Sequence, residues 1–300
     1  VLCEGAFGPY FPGLQVPVNP WDATRWSGVS SSGCGVATAA GLCFASVATD
    51  TGGSIRYPSA ANGCVGLKPT YGRVSRYGTF ALAASMDHIG PMTRTVEDAA
   101  ILFEAMAGYD PHDSTSLPDA VPAVRAELRR GIVGLRVGFD RRYATENVDP
   151  DVAKAMDGLL AELTRHGATV VTVTLPDVSK VGGAWLDLCC VEALAVHAKT
   201  FPARASEYGP GFRAALESGQ RVTPTALAAA LKLRADVSAS LERILNTVDC
   251  LVCPSMANSA RVKEADPFDE ETDESWSQQV RNDIHTQPFN FSGSPTLPVP

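Results

Sequence analysis

The sequence predicts an α/β protein, and three observations carry that prediction. A strand-like run at 134–140, a helical run at 151–166 and a second strand-like run at 168–175 follow one another directly. Strand, helix and strand in that order are the mark of a layered α/β architecture. Composition agrees: 300 residues with 45% apolar and 19% charged side chains, 26 Gly and 21 Pro are ordinary globular usage. Disordered, collagenous and coiled-coil chains are excluded on that ground.

Each element has its own local cause. Residues 1–109 are rich in Gly, Ser and Ala, and 114–121 form a polar connector with a proline. In the helical run, Val152, Ala155, Met156, Leu159, Leu160 and Leu163 fall on one face, with Asp149-Pro150 as start signal and Gly167 as stop. Residues 182–200 and 223–247 are Ala- and Leu-rich and predict two further helices. Cys250-Leu251-Val252-Cys253, closed by Pro254, reads as a short buried strand. The stretch 264–274 carries seven acidic residues and reads as a solvated loop; it lacks the spacing and central Gly of a calcium loop. No internal repeat is present. Val1 stands where a Met would open a chain, and Gly293-Ser-Pro-Thr-Leu-Pro-Val-Pro reads as a turn leading into a strand. The expectation is one domain over 1–300, truncated at both ends.

Charge and cysteine usage narrow the function classes. Lys plus Arg number 25 against 33 Asp plus Glu, a net −8, so no basic footprint for nucleic acid or an anionic membrane is expected. No apolar run approaches the roughly 18 residues of a membrane helix, and no signal peptide is read. The cysteines (Cys3, Cys34, Cys43, Cys64, Cys189, Cys190, Cys250 and Cys253) are dispersed among apolar neighbours, as reduced core thiols are. The Cys250/Cys253 pair has no second pair to complete a zinc site. A cytoplasmic protein without metal or cofactor is expected.

Two Gly/Ser segments carry the chemistry. The first is Trp26-Ser-Gly-Val-Ser30-Ser31-Ser32-Gly33-Cys34-Gly35, followed by an Ala-rich run; the second is Thr49-Asp50-Thr51-Gly52-Gly53-Ser54-Ile55-Arg56. Gly28 and Gly33 have phosphate-loop spacing, but Cys34 and Gly35 stand where Lys and Ser/Thr are required. Gly33 and Gly35 lack the third Gly of a dinucleotide loop, since Thr38 takes its place. Gly52-Gly-Ser54-Ile-Arg56 opens like a nucleophile elbow and fails at its fifth position. A turn that delivers Ser54 to the mouth of a helix fits better than a linker. A serine nucleophile needs a base and N–H donors aimed at the developing oxyanion. The Thr51-Gly52-Gly53-Ser54 turn supplies donors, because glycine leaves the carbonyl's approach open. None of His88, His112, His166, His197 and His285 sits in a telling motif, so the base of Ser54 is expected not to be His.

At these residues the sequence resembles the amidase signature family, whose members hydrolyse amides with a Ser–cis-Ser–Lys triad. The family's Gly-Gly-Ser-Ser-Gly-Gly appears as Gly28-Val29-Ser30-Ser31-Ser32-Gly33, with two glycines replaced by Val29 and Ser32. Its Asp-x-Gly-Gly-Ser-Ile-Arg is unaltered at Asp50 to Arg56. Gly66-Leu-Lys-Pro-Thr-Tyr-Gly-Arg-Val-Ser75 and Asp87-His-Ile-Gly-Pro-Met-Thr-Arg94 also match. The signature region is 26–94, and the two serines stand at the family's separation of 24 positions.

The resemblance implies a mixed β-sheet core surrounded by helices. It implies that Ser54 is the acylated nucleophile and Ser30 the bridging serine after a cis peptide. The N–H groups of Thr51, Gly52, Gly53 and Ser54 would form the oxyanion hole. Ser31 would order Ser30, and Asp50 with Arg56 would brace the turn. The family lysine lies upstream of the first Gly/Ser stretch; Lys68 belongs to the Gly-Leu-Lys-Pro motif, which the family does not use as base. Glu4-Gly5-Ala6-Phe7-Gly8 matches a segment that follows that lysine. The base is therefore expected outside this chain, and residues 1–300 alone are expected to be inactive. The implied function is hydrolysis of a small-molecule amide to acid plus ammonia or amine. Residues 71–94 also resemble the amidase component of tRNA-dependent amidotransferases, and a non-catalytic scaffold is the rival from another class. Phe7, Tyr10 and Trp185 are acyl-pocket or core residues, and a homodimer is the assembly allowed for.

Overall fold

The computed structural model describes residues 17–259 and 284–300. Cys3, the Glu4 to Gly8 match, Tyr10 and the acidic stretch 264–274 lie outside the described residues.

The Gly/Ser-rich half builds an antiparallel sheet. Helix α1 (Ser32–Ala39) leads into strand β1 (Ala45–Asp50), and helix α2 (Arg56–Asn62) follows it. Strands β2 (Val65–Gly66) and β3 (His88–Thr93) complete the order β1-β3-β2, with Asp50 opposite His88 and Gly66 opposite Met92. β3 is central and buried along its whole length, so it shows none of the alternation of a half-exposed strand. Helix α3 (Val96–Met106) starts on Thr95, whose hydroxyl accepts the Asp98 N–H at 3.1 Å. It seats Phe103 on Val74 and Ile89.

The second half opens with the short helix α4 (Val124–Glu127), after an irregular 114–121 connector, and holds the parallel sheet. Strand β4 (Arg136–Phe139), helices α5 (Arg141–Thr145) and α6 (Pro150–Arg165), and strand β5 (Thr169–Thr172) form the crossover unit read from the sequence. The strands are shorter than expected. Leu175 leaves the ladder because its N–H goes to the Asp140 carboxylate at 2.7 Å. On α6 only Met156 is fully buried; it packs with Leu160 on Phe139 and Val170, while Ala155 and Leu159 stay exposed.

Helices α7 (Val181–Val196), α8 (Pro210–Arg221) and α9 (Pro224–Leu245) follow. α7 buries residues all round its axis, as a helix at the centre of a core does. The largest apolar cluster gathers about it, with Phe212 and Leu216 from α8, Val237 and Leu241 from α9, and Phe289 and Phe291 of helix α10 (Gln287–Phe291). Strand β6 (Cys250–Leu251) joins β4 to give the order β5-β4-β6. The buried strand expected over Cys250 to Cys253 thus pairs only in its first half, and all four residues are half-buried. The strand expected near the end is reduced to one bridge between Lys68 and Thr296. No helix among the described residues is long and apolar enough to cross a membrane.

Candidate functional site

The two Gly/Ser segments meet at the end of β1. The chain leaves Asp50, turns through Thr51, Gly52, Gly53 and Ser54, and enters α2 at Arg56. The first segment is laid against this turn: the Ser31 N–H donates to the Ser54 carbonyl at 3.3 Å. Trp26 stands 6.4 Å from the Tyr57 ring. The approach is close because Gly28 carries no side chain; a Cβ there would lie 2.4 Å from the Pro58 Cα. The Val29–Ser30 peptide is cis. Ser30 and Ser54 are both half-buried, within reach of a ligand, while Thr51, Gly52 and Gly53 are buried. The Ser31 hydroxyl bonds the carbonyl of Thr49 at 3.2 Å, so its hydrogen bond runs to β1 and not to Ser30.

Asp50 and Arg56 form a buried, two-pronged ion pair under the turn. Arg56 Nε donates to Asp50 Oδ2 at 2.9 Å and Nη2 to Oδ1 at 2.8 Å. Burial alone would raise the Asp50 carboxyl, but the Arg56 guanidinium overrides it and holds the group well below the usual carboxylate range. The Ile55 N–H donates to Asp50 Oδ2 at 3.1 Å, closing the turn on itself.

Further residues converge here that sequence reasoning did not assign. Asn290 Nδ2 donates to Asp50 Oδ1 at 2.8 Å, and Asn290 Oδ1 accepts from Arg56 Nη2 at 2.5 Å. Arg56 Nη1 donates to the Thr286 carbonyl at 2.7 Å. Thr51 Oγ1 donates to Asp87 Oδ1 at 2.6 Å, and Asp87 in turn accepts the N–H groups of Leu82 and Ala83. Trp185 is both a core residue of α7 and a partner of the turn, since its indole N–H donates to the Thr51 carbonyl at 2.8 Å. Their contacts with residues 50 to 56 reach across 36 to 240 positions of chain, so no local pattern could have found them.

His88 and Lys68 lie behind the pair. Lys68 is fully buried and Nζ donates to the Ser294 carbonyl at 2.5 Å. Burial, with the Arg56 charge beside it, drives the Lys68 amine well below its ordinary value. Burial likewise holds His88 well below the usual imidazole value. Its Nδ1 faces the Met86 carbonyl at 2.6 Å and the Asp50 carbonyl at 3.2 Å. Carbonyls only accept, so Nδ1 carries the proton. His285 packs on Tyr143, His197 bonds Tyr208, and His112 and His166 are exposed. No His or Lys bonds Ser30 or Ser54 among the described residues. No three metal-binding side chains cluster among them either.

The amidase family profile matches residues 3–300. AmiD of Mycobacterium tuberculosis strain H37Rv, named as an amidase, is 42% identical over 305 residues, covering 100% of this chain and 62% of that protein. A glutamyl-tRNA(Gln) amidotransferase component of Geobacter sp. strain M21 is 36% identical over 306 residues, covering 94% and 62%. A solved inhibitor-bound complex, from work on the origins of an s-triazine catabolic enzyme, superposes with a TM-score of 0.85 at 29% identity. It covers 99% of this chain and 64% of the other. The chain belongs to the amidase signature family and has that family's α/β fold. It spans 62% of the length of the curated relatives it matches.

Proposed function

We propose that the protein hydrolyses carboxamide C–N bonds through an acyl-serine intermediate, with Ser54 as nucleophile. The observation that carries this is the turn: the N–H groups of Thr51, Gly52, Gly53 and Ser54 have no acceptor among the described residues, beside a half-buried Ser54. Unpaired N–H groups around a reachable hydroxyl are what a tetrahedral oxyanion requires. Ser54 Oγ attacks the carbonyl carbon and its proton passes to Ser30, which hands one to the base. The oxyanion rests on the turn; its collapse expels the amine, protonated by the same relay, and water then releases the acid. The base is a neutral lysine outside these residues, so 1–300 alone do not turn over amide. Lys68 is committed to Ser294, which fits that reading.

The free thiols among the described residues fit a reducing cytoplasm, and the net −8 fits a small-molecule amide in place of nucleic acid. A glutaminase role inside an amidotransferase is the second reading, favoured by the 36% identity to the Geobacter amidotransferase component.

A fluorophosphonate reagent applied to the full-length protein tests the assignment. Label is expected on Ser54, with Ser54→Ala losing the label and keeping less than about 1% of the turnover. An unlabelled Ser54 would remove the nucleophile and favour the scaffold. Screening glutamine, short aliphatic amides and aryl amides for ammonia release separates the two catalytic readings, since glutamine alone as substrate marks the amidotransferase role.

A further inference from the structure

We infer that Trp185 and Thr286 are positioning residues that aim the oxyanion donors of the Ser54 turn; the inference rests on the acyl-serine reading above. A trans peptide unit is planar, with its C=O and N–H pointing opposite ways. To fix one carbonyl is therefore to fix the direction of the next residue's N–H.

Three successive carbonyls of the turn are fixed. Thr51 O accepts from Trp185 Nε1 at 2.8 Å, Gly52 O from Thr286 Oγ1 at 2.6 Å, and Gly53 O from the Tyr57 N–H at 2.7 Å. The N–H groups of Gly52, Gly53 and Ser54 are thereby turned away from those partners, and none of the three has an acceptor among the described residues. The Tyr57 bond is the ordinary helical contact of the start of α2. The other two reach across 134 and 234 positions of chain to a glycine-rich turn that has no stiffness of its own.

Both partners are held in turn. Trp185 is 6% exposed, and its ring lies so close that a Cβ on Gly52 would stand 2.5 Å from Cζ2. Thr286 is fully buried, with its carbonyl tied to Arg56 Nη1. Its hydroxyl has one proton, and that proton goes to Gly52 O; the Tyr57 hydroxyl is therefore the donor in the Tyr57–Thr286 contact. The result is a directed chain, Tyr57 to Thr286 to Gly52, that orients a donor before substrate arrives. Such preorganisation acts on the charge that develops in the transition state, so its loss lowers kcat and leaves KM nearly unchanged.

The test uses the full-length protein and the amide turned over fastest in the screen. Thr286→Val removes the hydroxyl at constant size, and Thr286→Ser restores it. Expected is a ~10- to 100-fold fall in kcat for Thr286→Val, below the loss typical of deleting an oxyanion donor outright. KM should stay within about twofold, the Ser54 labelling rate should fall in parallel, and Thr286→Ser should return to within about threefold of wild type. Trp185→Phe frees the Thr51 carbonyl without touching Thr286 and should show the same split, which keeps the test decisive if Thr286→Val does not fold. Wild-type kcat in Thr286→Val or in Trp185→Phe overturns the inference, as does a fall in kcat that Thr286→Ser fails to restore. If the unmutated protein neither labels at Ser54 nor releases ammonia, the acyl-serine reading itself is lost and the inference with it.

Discussion

Two glycines of the signature region should respond oppositely to the same methyl group. Gly53 has φ +147°, and a Cβ built there would lie 2.3 Å from Cε2, 2.6 Å from Cζ and 2.8 Å from Cδ2 of Tyr57. The ring is held in place, because its hydroxyl is bonded to Thr286 and it is 9% exposed, packed in one cluster with Trp26, Ala61 and Met256. Gly53→Ala therefore adds backbone strain of about 1–3 kcal/mol to an overpacking cost of about 1–3 kcal/mol. Together these come to roughly 2–6 kcal/mol, against a usual total stability of about 5–15 kcal/mol. Gly33 lies exposed in helix α1 with nothing within 4 Å of its Cβ position. Gly33→Ala should thus be neutral, or stabilising by about 0.5–1 kcal/mol through helix preference. Urea denaturation of the full-length variants reads the difference, and ammonia release should fall at least ~10²-fold for Gly53→Ala alone. Equal stability of the two variants would refute the packing argument.

Acid should weaken the fold through Asp50. Its native proton is lost well below the unfolded value of about 4, so its stabilisation is complete above that value and fades as pH falls below it. Asp50→Asn should flatten urea midpoints between pH 4 and 2; an unchanged acid limb would argue against it. Lys68 runs the other way. Unfolded it holds a proton up to about pH 10, whereas the native amine gives its proton up well below that, so stability rises with pH on the approach to the unfolded value, by at most ~1.4 kcal/mol per unit. Lys68→Met should lose that slope, and parallel slopes for the two proteins would show the buried amine to be charged. The comparison with the variant is needed because the buried thiols, Cys64 pushed up to about 11 and Cys190 to about 12, oppose the trend above the ordinary thiol range.

What could be read from the sequence was local. The crossover unit was legible because α6 has a one-faced apolar repeat between Pro150 and Gly167, and its bounds shifted by one residue. The Ser54 turn was legible because glycine density and flanking Asp50 and Arg56 mark a tight bend held by its own ends. β3 was not, since a strand buried on both faces with Pro91 inside it carries none of the usual strand signals. Trp185 reads equally as pocket or core from sequence, and Thr286, Asn290 and Asp87 carry no local signal of their role at the turn. Each acts on the turn from another element, and a single chain records no trace of such a meeting.

The polar group beneath the turn is best understood as a device for geometry. Taking Asp50 and Arg56 out of water costs several kcal/mol per ion, and their mutual attraction returns that only where every remaining hydrogen bond is made. Here the Asp50 carboxylate accepts from the Ile55 N–H, from Arg56 twice and from Asn290, while Arg56 also holds the Thr286 carbonyl and Asn290 Oδ1. The same contacts join the end of β1, the start of α2 and the chain entering α10, the three pieces whose relative placement sets the turn. Members of such a network should fail together. Arg56→Met should cost about 3–5 kcal/mol by leaving the Asp50 charge unpaired, and Asn290→Ala about 1–3 kcal/mol. Once Arg56 is gone Asn290 has lost half its purpose, so the double variant should fall short of the sum by about 0.5–3 kcal/mol. A double-mutant cycle in urea measures that coupling directly. Strict additivity would mean that Asn290 merely fills space beside the pair, and the turn would then owe its shape to Asp50 and Arg56 alone.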